Sequence, residues 1–171
     1  MAVNSKQVVA ALSVVLLLVI LIYPAVSTGN IAVSIGGLKI DNADHVYVTI
    51  YGVWVHERGQ SSSTGWKSVS NQSLTVDLIS LENSTKPLAT SKVSVARYDS
   101  VRLSLSNVTW VFNKTTTNLL TASSNLDANI EFTLVAGKPL TITILLGGQQ
   151  EVIGTSKFFQ TTMNVTVTEV S

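Results

Sequence analysis

The sequence predicts an all-β protein, an immunoglobulin-like antiparallel β-sandwich preceded by an N-terminal apolar signal helix. Three observations carry that expectation. Apolar and polar residues alternate with period two in seven separate runs after residue 30. Gly- and Pro-containing stretches punctuate those runs. One charge-free apolar stretch stands apart near the start of the chain.

That apolar stretch runs from Gln7 to Val26 and is dominated by Val, Leu, Ile and Ala, with Lys6 as the only charge before it. Pro24 ends any helix it forms, and Ala25-Val26-Ser27 supplies small residues for a cut after Ser27. These are the parts of a secretory signal. Two rival readings share the segment. An uncleaved helix of this length just spans a bilayer, which takes about 20 residues. A type IV pilin-like helix would be cut near Lys6 and kept as a filament core, although Gln7 stands where such proteins usually have a small residue. All three place the rest of the chain at the cell surface or outside the cell. Membrane contact is expected only through this segment, before cleavage.

The strands follow in order. Ile31, Val33 and Ile35 alternate with Ala32 and Ser34, and Gly36-Gly37 ends the run. Val46, Val48 and Ile50 form the next, with an uncertain phase through Val53-Trp54-Val55. Further alternations centre on Leu74-Val76-Leu78, Val101-Leu103-Leu105 with Val108 to Phe112, Ile130-Phe132-Leu134, Leu140-Ile142-Ile144 and Met163-Val165-Val167. Each buries one face and leaves a Thr/Ser face to water, as antiparallel sheets do. Asp77 to Thr85 has room for a short helical turn. The organisation is therefore 1–27 signal, 28–37 N-terminal strand with a Gly-Gly joint, and 38–171 one β-sandwich domain.

Composition removes several classes of function. Charged residues make up 12% of the 171, about half the usual share of roughly 25%. A net charge of +1 excludes the basic footprint of a nucleic-acid binder. The absence of cysteine excludes disulfides, thiolate metal sites, a Cys nucleophile and a thioether lipid anchor. Polarity comes instead from Ser, Thr, Asn and Gln. Asn-x-Ser/Thr sequons stand at Asn71, Asn83, Asn107, Asn113 and Asn164, and behind a secretory signal they predict N-linked glycans. Asn107 and Asn164 fall on strands and qualify only if those faces point outward.

The same reading finds no catalytic grouping, so no enzyme and no cofactor is expected. His45 and His56 lack metal-helix spacing, and both are expected at exposed sheet margins. Asp41 and Asp44 are weak candidates for a cation, against the simpler reading of an Asx turn before a strand. Trp54, Trp66 and Trp110 could form a sugar platform, but such residues more often pack sheets.

The run Asp44-His45-Val46-Tyr47-Val48-Thr49-Ile50-Tyr51-Gly52-Val53-Trp54-Val55-His56, with Gly65-Trp66, Val76-Asp77-Leu78 and Tyr98-Asp99-Ser100-Val101-Arg102-Leu103, resembles a domain of formerly unknown function in secreted archaeal and bacterial proteins. The likeness covers most of 30–171. Many such proteins carry a lipid-anchoring cysteine and an Asp-Pro turn after the first strand; here there is no cysteine, and Gly36-Gly37 follows Ile35. With its low charge and many sequons, the chain is similar to subunits of archaeal extracellular thread filaments, which are built like donor-strand pilins. That resemblance implies a linear homopolymer of β-sandwich subunits, for adhesion or biofilm. In it Ile31, Val33 and Ile35 would form a donor strand and Gly36 and Gly37 its hinge. The competing expectation is a monomeric surface binding module in which that strand belongs to its own sheet.

Overall fold

A computed structural model of the chain describes residues 27–121 and 123–170. The apolar segment before Ser27, with its signal, pilin and anchor readings, lies outside the described residues. No helix among the described residues is long and apolar enough to cross a membrane.

The described chain is all-β. Ten strands follow in order: β1 (Thr28–Gly37), β2 (His45–Glu57), β3 (Trp66–Ser70), β4 (Leu74–Asp77), β5 (Thr85–Ser94), β6 (Arg97–Phe112), β7 (Thr115–Thr121), β8 (Asn125–Thr133), β9 (Leu140–Ile153) and β10 (Ser156–Glu169). They form one sheet in the order β3-β2-β6-β7-β10-β9-β1-β5, with β4 on β2 and β8 on β6. Two curved halves, one holding β1, β5, β9 and β10 and the other β2, β3, β4, β6 and β8, join through a short pairing of β7 with β10 at Leu120–Phe158 and Thr121–Phe159. The free ends, β3 and β5, lie against each other, so the sheet closes nearly into a barrel.

The alternating residues fill it. Ile31, Val33, Ile35, Val46, Val48, Ile50, Val101, Leu103, Leu105, Ile142 and Ile144 are all buried, with Phe159 and Leu146 among the largest side chains sealed inside. The ambiguous phase in β2 has a structural cause. Irregularities near Ile50 and Gly52 shift its register against β6, so Val53 and Val55 turn inward and Trp54 turns out. Tyr98 anchors the start of β6. Its hydroxyl donates to the Ser94 carbonyl at 2.6 Å, the back-bond of a tyrosine corner, and burial, with a smaller contribution from Glu57, pushes its pKa up to about 12.

Three features depart from the expectation. The sheet is not wholly antiparallel, because β1 runs parallel to β9 and β7 parallel to β10. Strands β3, β5 and β7 were not foreseen. Their sequences, WKSVS, TKPLATSKVS and TTTNLLT, carry too few apolar residues to show a period, and Pro87 argues against a strand except at an edge or bulge. Pro87 sits on β5, at the end of the sheet, where its register with β1 slips. The expected helical turn at Asp77 to Thr85 is a series of tight turns, with Leu81 N–H donating to Leu78 O and Glu82 N–H to Ile79 O, both at 3.2 Å.

Candidate functional site

Two places in the fold carry the residues that the sequence singled out. The first is the slot holding β1. This strand pairs antiparallel with β5 from Thr28–Ser94 to Gly36–Thr85 and parallel with β9 from Ile31–Leu140 to Gly37–Leu146. Ile31, Val33 and Ile35 point into the core with exposures of 0%, 1% and 0%. At about 1.5–3 kcal/mol for each aliphatic side chain fully buried, this one strand contributes a large share of the apolar contact in its half of the sheet. Neither partner is a neighbour in sequence. Within the single chain, β1 lies in its own sheet.

Gly36 and Gly37 are not a soft joint. Both are buried within β1, and a Cβ on Gly37 would stand 2.1 Å from the Leu78 carbonyl oxygen. Their value is the close approach of two backbones: Gly37 N–H donates to Leu81 O at 3.0 Å. The following connection, residues 38–44, leads to β2: Leu38 N–H donates to Leu146 O, Asp44 N–H donates to Val111 O at 2.7 Å, and Asn42 has a φ of 58°.

The second place is the outer face of β2, β3, β6 and β8. The motifs that carried the family likeness meet here. The Trp66 ring lies under the Arg102 guanidinium, 3.9 Å from its centroid, while Arg102 forks onto both carboxylate oxygens of Asp127 at 2.7 Å. Trp54 folds back over Gly52, whose missing Cβ leaves room for the ring. Between these, His56 is only 7% exposed. Its Nδ1 is 2.8 Å from Asp99 Oδ1 and its Nε2 3.0 Å from the Ser61 carbonyl. Both neighbours only accept, so both contacts are hydrogen bonds only when the ring is protonated on both nitrogens, as an imidazolium. Its pKa is raised, first by the Ser61 carbonyl and then by the Asp99 carboxylate. His56 is therefore not an exposed margin residue: the loop from Arg58 to Gly65 folds over it. His45 does stay exposed, with Nδ1 2.8 Å from Asp77 Oδ2.

The remaining candidates separate. Asp41 pairs with Lys39 at 3.0 Å, and Asp44 Oδ2 accepts the Asn113 N–H at 2.8 Å, so the two carboxylates serve the loop and the β6–β7 turn. No group of three His, Asp or Glu side chains with metal-binding geometry occurs among the described residues. Trp110 packs in the core against Phe159, so the three tryptophans do not make one platform. All five sequon asparagines, Asn71, Asn83, Asn107, Asn113 and Asn164, are exposed. Sequence reading had Asp99 and Arg102 only as part of the family-like run and missed their grouping with His56 and Asp127. Their spacing on β6 and β8 means little until those strands are paired.

The fold and these residues define an all-β domain whose N-terminal strand sits between β5 and β9, with an outward-facing aromatic and ionic cluster. The family model described as "Domain of unknown function (DUF4382)" matches residues 28–157, and the chain belongs to that family. No curated protein and no solved structure shows significant similarity to it.

Proposed function

We propose that this chain is a structural subunit of an extracellular surface filament, joined head-to-tail by donor-strand complementation and serving adhesion or biofilm. The observation that carries the reading is the place of β1. Its two partners, β5 and β9, are both remote in the chain, so the β1 of a second copy makes the same ladder bonds and fills the same core positions. Exchange of an identical element between copies adds no new interface chemistry, and a head-to-tail exchange that does not close gives a fibre. Both curved halves of the sheet then serve as the faces of an immunoglobulin-like sandwich. The hinge is residues 38–44, which span about 23–25 Å at ~3.3–3.6 Å per extended residue. Exposed sequons and low charge fit a glycosylated surface polymer. The archaeal thread-filament resemblance points the same way.

A monomeric binding module is the second reading, favoured by the closed position of β1 within one chain. Electron microscopy of sheared surface material separates the two. Thin filaments in the parent, absent from a strain whose chain lacks residues 30–35, support exchange, provided that folded monomer is still secreted. No filament in the parent sinks it. Intact mass adds a check, since a filament subunit of this kind has lost the apolar segment and an anchored module keeps it.

A further inference from the structure

At one end of the barrel-like sheet the inward columns cease to be apolar. Leu119, Leu146 and Phe159 are buried core, yet two to four residues along the same strands, Thr117, Gln150 and Thr161 line an open cup of about 1260 Å3 with Trp110 and Phe112. Phe112 is 43% exposed, a flat apolar surface among amides and hydroxyls. Of the three charged side chains lining it, Lys39 and Asp41 neutralise each other at 3.0 Å and Lys157 stands without an ion-pair partner among the described residues. With Lys157 as its one unpaired charge, the cup offers hydroxyl and amide donors and acceptors beside an aromatic ring, which suits a polyhydroxylated ligand. It exceeds the roughly 300–1,000 Å3 of sites for drug-sized molecules, which favours several sugar units over one.

We propose that this cup is a saccharide-binding site, filled by the N-linked glycan that Asn113 carries at its rim. Asn113 both lines the cup and occupies a sequon with Thr115. Its backbone is fixed: φ is 50°, Lys114 follows at 64°, and Asp44 Oδ2 holds its N–H at 2.8 Å. A glycan leaving that amide starts at the mouth of the cup, so binding is intramolecular and a weak sugar site suffices. The proposal rests on secretion of the chain and on sequon use, not on exchange of β1.

The test uses the secreted protein and hydrogen exchange of amides in Gly147–Val152 and Thr115–Thr117. Wild type is compared with Asn113→Asp, which removes the sequon and tolerates the left-handed backbone, and with single losses of the other four sequons. Exchange severalfold slower in wild type than in Asn113→Asp, unchanged by the other four losses and lost in the cup variant Gln150→Leu, supports the tethered sugar. Equal exchange in wild type and Asn113→Asp, with the same segments protected by N-glycans released from the secreted material, keeps the saccharide site and makes its ligand free. Equal exchange with no protection by released glycans overturns the proposal. Intact mass of each variant reports whether Asn113 is occupied, and filament microscopy of the same variants keeps this result separate from that of strand exchange.

Discussion

His56 shows how one side chain ties the sheet to its covering loop. An imidazolium held by Ser61 O and Asp99 has a raised pKa, so its contribution is complete below the ordinary histidine value near 6.5 and is lost as pH rises through the higher folded value. Deprotonation removes one charge-assisted donation, about 1.5–3 kcal/mol at most. Denaturation midpoints should therefore fall from pH 5 to pH 9 in wild type, and His56→Gln should remove that part of the fall. A wild-type profile identical to that of His56→Gln would contradict the doubly protonated ring. Tyr98 gives a second expectation. Tyr98→Phe keeps the buried ring but strands the Ser94 carbonyl, so unfolding free energy should drop by about 1–3 kcal/mol in urea melts. At this scale the sequence was least informative. The outward phase of His56 on β2 was readable, but its burial by a loop and its pairing with Asp99 depend on contacts 43 residues apart.

Among the elements, β1 was the most legible and its ending the least. The period-two pattern of Ile31, Val33 and Ile35 named the inward face, and all three are sealed in the core. The pair Gly36-Gly37 reads equally well as a joint or as a close-packed strand end, and only the Leu78 carbonyl beside Gly37 decides for the second. Gly37→Ala should thus destabilise by about 1–3 kcal/mol through overpacking against backbone, measured as a lower urea midpoint with unchanged m. A neutral effect would return these glycines to a loose joint. Ile35→Ala should cost about 2–5 kcal/mol by leaving a cavity. β5 was hidden for the opposite reason. Its charges and Pro87 are the devices by which an edge strand avoids wrong partners, and they erase the alternation that reveals a strand.

For the whole molecule, the all-β class followed from patterning, because period-two alternation marks strands that bury one face. The parallel pairings of β1 with β9 and β7 with β10 did not, since pairing direction depends on how distant strands meet and leaves no mark on local alternation. The filament reading rests on the same remoteness, which would let β1 be exchanged between copies. Its slot is defined by β5 and β9, and on that reading the strand comes from a second chain. Any disulfide introduced between β1 and β5 then records which chain supplied the strand, and the absence of cysteine from the chain leaves no competing thiol.

The most direct measurement places cysteines at Ala32 and Thr90, which face each other across the antiparallel β1–β5 pair, within the Cα separation of about 4.4–6.8 Å that a disulfide tolerates. Oxidised surface material is boiled in detergent without reductant and sized on a gel. Exchange of β1 between copies predicts a covalent ladder of multimers that collapses to one band on reduction. A single monomer band, with the disulfide formed inside each chain, would show that β1 stays at home and that the filament account is wrong.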